Sequence, residues 1–338
     1  MAVARAQHDP VLTKRHRAVV AINGLVVDGQ ERHRQTIIDS GTFNLGRTLL
    51  GTLLICRSEC RFDRHQFKEN ALAAAADTSL LLKPEEVPPA REFNAEGRSP
   101  FLLTCDHYGR LIPQVLGDLG LPESELVRHI AWDIGIAGVA EALSKHLDAH
   151  LIAQRYSRLV IDCNRPPNVA SSIPRISEAT TISGNEGISR EAAATRRAQI
   201  FDPYHRRIDE IIDQRGSAGL PTVLVSLHSF TPIYAGIARP WHIGTLYHRD
   251  THLPPLLLKL LRAEGDLVVG DNEPYAVSDE TDYTIPVHGE ARGLMNTGIE
   301  IRQDLISDRA GEQAWADRLA RILGEIETML RAQQLLPA

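Results

Sequence analysis

Cysteine is scarce, with four residues in 338 (Cys56, Cys60, Cys105 and Cys163). That is too few and too scattered for the disulfide framework of a small secreted domain, and a reducing cytoplasm is the expected compartment. Long apolar runs are also missing. The longest, residues 48–56, is about half of the roughly 20 residues that cross a bilayer. Residues 1–17 have no apolar centre of the kind a secretory signal needs, so a soluble, unexported chain with no membrane partner is expected. There is no basic excess: 37 Lys+Arg stand against 43 Asp+Glu, a net charge of −6, which argues against nucleic acid as a partner. Three motifs are absent: a His-Glu-x-x-His helix, a completed Cys/His zinc pair, and a glycine loop followed by Gly-Lys-Ser/Thr. Their absence excludes the helix-borne zinc site, the cysteine zinc knuckle and the P-loop. Aromatics amount to 5%, yet hydrophobic residues reach 43% and charged residues 24%. Such a chain builds a core and is not disordered throughout.

The length suits one large α/β domain with additions. Residues 1–77 hold 11 Lys+Arg against 8 Asp+Glu, a local +3, leaving 26 against 35, or −9, for the rest. Their apolar runs are short and lack a clean period. They read as an N-terminal appendage, poorly ordered or non-homologous, ahead of a folded domain at 78–338. From residue 100 strands and helices alternate. Strands are expected at 101–105, 158–163, 222–228, 241–247, 266–270 and 298–302, and helices at 136–151, 190–214, 253–263 and 310–334. Residues 166–189 read as a long polar loop. The alternation implies an α/β sandwich of three layers with a mostly parallel central sheet.

In such sheets ligands collect beyond the carboxyl ends of the strands, so polar residues following apolar runs carry the functional argument. One run ends in Asp106-His107, another holds Asp162 and is followed by Arg165, a third delivers His228, and the last carries Glu300 and Arg302 on one face. Two imidazoles and a carboxylate are the donor set of a catalytic Zn²⁺ with an open position for water. A further carboxylate outside that set can serve as general base. His107, His228 and either Asp133 or Asp106 are the candidate ligands, with Glu300 as the base. Cys105 and Cys163 read as small core hydrophobes.

Six segments in this order resemble the N-formylglutamate amidohydrolase family. They are Cys105-Asp-His-Tyr-Gly-Arg-Leu-Ile-Pro113, His129-Ile-Ala-Trp-Asp-Ile-Gly135, Tyr156-Ser-Arg-Leu-Val-Ile-Asp-Cys-Asn-Arg-Pro166, Ser226-Leu-His-Ser-Phe-Thr-Pro232, Asp271-Asn-Glu-Pro-Tyr275 and Gly298-Ile-Glu-Ile-Arg-Gln303. The resemblance covers about 78–330. It implies a zinc-carboxypeptidase-like (phosphorylase/hydrolase-like) fold, one Zn²⁺ or another divalent metal per chain, and hydrolysis of the amide of an N-formyl or N-acyl amino acid such as N-formylglutamate. Amino-acid catabolism, histidine degradation in particular, is the implied setting. By position, His107 and His228 match the family's histidines and Glu300 its late-strand glutamate. Zinc carboxypeptidases place a glutamate ligand three residues after the first histidine, where this chain has Arg110. Asp133 is therefore preferred over Asp106 as the carboxylate ligand, although a position just ahead of a helix also suits a cap.

A substrate with two carboxylates calls for guanidinium groups. Arg165 is the first candidate, with Arg158 and Arg302 behind it, and Tyr283 as a possible pocket wall or oxyanion donor. Competing readings are a broader N-acyl-amino-acid deacylase or metallopeptidase, and a non-catalytic binding relative. The sequence leaves room for a homo-oligomer.

Overall fold

A computed structural model of the protein describes residues 80–337. The expected appendage at 1–77, with Cys56 and Cys60, lies outside the described residues. Seven strands form the central sheet: β1 (Ala90–Phe93), β2 (Phe101–Cys105), β3 (His150–Gln154), β4 (Val223–Phe230), β5 (Ile243–Leu246), β6 (Val269–Asp271) and β7 (Asn296–Arg302). Their spatial order is β1-β3-β2-β4-β7-β5-β6. The β3-β2-β4-β7 centre is parallel throughout, as is the β5/β6 pair, whereas β1 on β3 and β5 on β7 run antiparallel.

Both faces of the sheet are covered, and strand alternation sorts side chains between them. On one face Phe101 and Leu103 of β2, Val225 and Leu227 of β4, and Ile299 and Ile301 of β7 meet three helices. These are α1 (Ile136–Leu147), α3 (Leu253–Ala263) and α4 (Arg309–Ala332). The apolar stripe Leu319, Ile322, Leu323, Ile326 of α4 keeps helical spacing and is wholly buried. On the other face Leu102, Ile152 and Leu224 pack against α2 (Asp202–Ser217) through Tyr204, Ile208 and Ile211. These are the three layers and the mostly parallel sheet expected from the sequence.

Three element assignments need correction. The run Arg158–Cys163 is not a strand. It is an irregular, buried turn segment in which Val160 N donates to Ser157 O and Asp162 N donates to Ser172 O. Leu159, Val160 and Ile161 bury themselves against α2's side of the sheet without joining a ladder. The strand is its neighbour His150–Gln154, which the sequence reading had absorbed into a helix ending at Leu151. The helix stops at Leu147 because Asp148 takes a left-handed conformation, φ 52°. The long helix expected at 190–214 is broken into Arg190–Arg196, a π-turn Arg197–Phe201 and α2. Pro203 in the first turn of α2 lacks the N–H that would continue the ladder.

The chain leaves β2 for β3 on one side, then crosses to β4 on the other. The carboxyl ends of β2 and β4 therefore flank a switch point, the crevice where open parallel sheets bind ligands.

Candidate metal centre and active site

At that crevice four chain segments meet. His107 follows β2 directly. Asp133 arrives on the loop before α1, where its N–H donates to His107 O at 3.0 Å. Gly135, at φ 78°, makes the turn into the helix, and any β-carbon there would strike Ile306 O. Gly135 occupies the helix N-cap, so the Asp133 carboxylate does not cap α1. His228 lies on β4 and Glu300 on β7, paired in register on adjacent parallel strands and facing the same layer. His107, Asp133, His228 and Glu300 are all buried yet line one cavity of about 500 Å³.

The hydrogen bonds fix which nitrogen of each ring faces the crevice. His107 Nε2 donates to Asp162 Oδ1 at 2.7 Å. His228 Nε2 donates to Ser226 Oγ at 2.9 Å, with Asp106 Oδ2 behind it at 3.4 Å. In the neutral rings both Nδ1 atoms are thereby left as acceptors, and both point at one carboxylate oxygen. Asp133 Oδ2 lies 3.4 Å from His107 Nδ1 and 3.1 Å from His228 Nδ1. His107 Nδ1 is buried without a hydrogen-bond partner. Two imidazole lone pairs and a carboxylate converging in a buried space repel one another unless something positive sits between them.

These residues fit a divalent cation on two counts. The separations match the ~3.3 Å edge of a tetrahedron built on ~2.0–2.1 Å bonds to nitrogen and oxygen. With neutral imidazoles the surrounding charges also balance a dication: Asp106, Asp133 and Asp162 give −3 and Arg158 gives +1, a net −2. Protonation follows the same logic. Burial opposes charge on every member, but the mutual fields prevail: Asp106 is held at about 2, and Asp133 and Asp162 lie well below the usual carboxylate range. The imidazoles of His228 and His107 are pushed up by the carboxylates around them, despite desolvation. Protons are drawn to where a metal ion would satisfy the site.

Glu300 behaves oppositely. Burial, reinforced by the Asp133 charge and only partly offset by His228, lifts its carboxyl to about 7. Its Oε2 is buried with no partner. A carboxyl poised near neutrality and free to take a proton is the requirement for a general base.

The remaining expected site residues divide. Arg158 lines the cavity and grips Asp162 Oδ2 through Nε and Nη2 at 3.0 and 2.7 Å, with Nη1 3.5 Å from Asp133 Oδ1. Arg165 also lines it, but its Nη1 donates to the carbonyls of Asn164 and Thr281 and lies 3.8 Å from Asp282. Arg302 is turned away: it pairs with Asp304 at 2.8 Å and donates to the carbonyls of Arg239, Pro240 and Trp241. Tyr283 is not on the cavity wall, because its ring packs on Phe201 and His205 at centroid distances of 4.9 and 4.5 Å. His205 and His288 join each other at 2.9 Å and lie buried behind the site. Asp106 is separated from the Nδ1 cluster by the His228 ring and accepts from Tyr204 and Thr284. Arg110, where carboxypeptidases carry a glutamate, points outward to Glu123.

Two contributors were missed by the sequence reading. Asp162, singled out in the sequence but given no role in the site, buttresses His107. Tyr275, within the quoted Asp271–Tyr275 motif, stands on the cavity wall. Partial burial and the nearby Glu300 raise its phenol pKa, while Arg239 opposes the rise. The position of Tyr275 in a quoted motif was the available signal.

The fold and this buried two-histidine, one-aspartate cluster with a separate poised glutamate define an α/β hydrolytic scaffold with a candidate metal centre. A family profile described as N-formylglutamate amidohydrolase matches residues 99–307, and the chain belongs to that family. It is an amidohydrolase. Among similar proteins, an N-formylglutamate deformylase of Pseudomonas putida is 27% identical over 213 residues, covering 59% of this chain and 73% of the relative. The structure of gene product Atu2144 from Agrobacterium tumefaciens superposes with a TM-score of 0.71 at 38% identity, over 74% of this chain and 99% of that one. An N-formylglutamate amidohydrolase from Ralstonia eutropha shares the fold at TM-score 0.54 and 19% identity, over 73% of this chain and all (100%) of that one. No helix among the described residues is long and apolar enough to cross a membrane.

Proposed function

We propose that the protein is a zinc-dependent hydrolase that cleaves the amide of an N-formyl amino acid, N-formylglutamate above all, to formate and the free amino acid. The observation that carries this reading is the convergence of the imidazole and carboxylate donors of His107, His228 and Asp133 beside the buried, unpartnered Glu300 carboxyl. The three would hold one Zn²⁺ per chain, or another divalent ion. When bound, that ion supplies Lewis acidity toward the amide carbonyl and makes water a stronger acid.

The chain's own residues do the rest. Glu300 takes the proton of the attacking water at Oε2 and returns it to the departing amine nitrogen, which must be protonated to leave. Asp162 and Asp106, through Ser226, lock the two ring orientations. Arg158, already spanning Asp162 and Asp133, adds positive charge to a cavity that receives an anionic substrate. Release of a free amino acid and formate gives the reaction a catabolic setting.

A second reading, a deacylase taking larger acyl groups, is supported by an adjoining space that continues past His129, Glu178, Thr231 and Tyr234 toward Val127, Ile134 and Ile233. An amine-release assay on N-formyl-, N-acetyl- and longer N-acyl-L-glutamate separates the two. Zinc-dependent turnover, abolished by chelator and restored by zinc, with the formyl substrate preferred, is expected. Preference for the long acyl chains favours the second reading, and turnover indifferent to chelation contradicts both.

A further inference from the structure

Arg239 lies between the short hairpin Ile233–Tyr234/Ile237–Ala238 and β5, in a region that the sequence reading left without a role. Its guanidinium carbon sits 4.6 Å from the Tyr234 ring centroid, 4.9 Å from that of Tyr275 and 5.8 Å from that of Phe230. All three rings line the cavity that holds Glu300. The two arginines that line that cavity are already engaged: Arg158 by Asp162 and Asp133, and Arg165 by two carbonyls and Asp282. Arg239 has no carboxylate within ion-pair distance among the described residues, and its Nη1 is buried without any hydrogen-bond partner. An unpaired, desolvated guanidinium donor is costly. The aromatic rings stabilise the cation and leave its Nη1 without an acceptor. Its backbone is held as well, by Arg239 N on Pro232 O at 2.8 Å and by Arg302 Nη1 on Arg239 O at 3.4 Å. The cation is thus fixed in place but, among the described residues, lacks an anion.

We propose that Arg239 is the specificity residue that receives the side-chain carboxylate of the substrate's amino-acid half, selecting acidic N-acyl amino acids over neutral ones. Tyr275 carries the Arg239 cation against its ring, 4.9 Å from the centroid, and also feels the Glu300 charge, so the guanidinium and the group that serves the scissile amide both neighbour one ring. The α-carboxylate branches from the carbon that bears the amide nitrogen, too near the cut to span that ring. The side-chain carboxylate of a glutamyl residue lies farther out. The inference rests on the hydrolytic reading above and adds what that reading leaves open, the group that recognises the far end.

The test compares N-formyl-L-glutamate with N-formyl-L-glutamine, its carboxamide counterpart, on zinc-loaded wild type, Arg239→Gln and Arg239→Lys. Removal of the charge should lower kcat/KM for the glutamate substrate by about tenfold or more, chiefly through KM, and that for the glutamine substrate by less than about threefold. Arg239→Lys should fall between, because lysine keeps the charge and loses the fork. Equal losses on both substrates, or none on either, overturn the assignment; melting temperatures of the three proteins identify a folding defect. Wild-type turnover is read first and tests the hydrolytic reading alone. If wild type turns over neither substrate, the same variants are compared by binding of L-glutamate and L-glutamine to the zinc-loaded protein. A loss confined to L-glutamate upholds Arg239, and any other pattern removes it.

Discussion

Along β4, Val225 and Leu227 point to one side of the sheet and Ser226 and His228 to the other; along β7, Ile299 and Ile301 oppose Gly298 and Glu300. The first set meets α1, α3 and α4 in an unbroken apolar layer. The second begins apolar, at Leu224 against α2, and turns polar toward the carboxyl end, where α2 no longer covers it. The same strands therefore serve as core on one face and as chemistry on the other, one residue apart. The polar ends are tolerated in a buried setting because each carboxylate has a counter-charge or hydrogen-bond donors: Asp162 has Arg158 and the N–H of His107, and Asp106 has the Ser226, Tyr204 and Thr284 hydroxyls. Glu300 is the exception, and it is the group to which the proposed mechanism assigns the proton transfer.

Adjacent residues on β7 give the largest contrast. Glu300→Gln should cut kcat by about a hundredfold or more, with zinc content and melting temperature retained. Ile299→Ala should do the reverse, costing about 2–5 kcal/mol of stability with activity per folded molecule preserved. Paired denaturation and steady-state assays decide, and loss of activity in both variants with stability unchanged breaks the comparison. Next in size is Asp162→Asn, which removes the carboxylate that orients His107. Zinc affinity should fall by about 10–100-fold in a chelator competition titration, and an unchanged affinity would show that the Asp162 bond is incidental.

A smaller effect concerns pH. In the metal-free protein the Glu300 carboxyl is raised from 4.5 to about 7 by burial, so the folded state holds this proton more tightly than the unfolded chain. That contribution is full below about pH 4.5 and is lost as pH rises through about 7. Glu300→Gln lacks it. The melting temperature of the metal-free variant should therefore gain on that of the metal-free wild type between pH 5 and 8. A gap that stays constant across this range contradicts the assignment. Smallest is Arg302→Gln. Since Arg302 holds the Arg239 carbonyl and Asp304 instead of facing the cavity, kcat/KM should fall by less than about threefold, in the direction of the Arg239 variants.

How much of this the sequence disclosed follows from locality. His228 and Glu300 were legible because strands of period two deliver polar residues to one face, and His107 because it terminates an apolar run. Asp133 stood level with Asp106 until the resemblance preferred it, since a loop aspartate has no periodic signature. The sheet's third strand, β3, was obscured because Leu151 continues the helical spacing of Leu143 and Leu147. Residues 158–163 were misread because a buried turn and a buried strand have the same composition. Alternation placed Arg302 on the Glu300 face correctly, but one pleat further carries it past the cavity to Asp304. Arg239 and Tyr275 come from separate loops, and only tertiary structure stacks them.

The central claim is that His107, Asp133 and His228 hold one divalent ion opposite Glu300. The direct measurement is anomalous scattering at the zinc edge from a crystal of zinc-loaded protein. The account predicts one strong peak bonded to Nδ1 of both histidines and to an Asp133 carboxylate oxygen. A zinc-loaded crystal with no peak there, or with its peak on other residues, contradicts it.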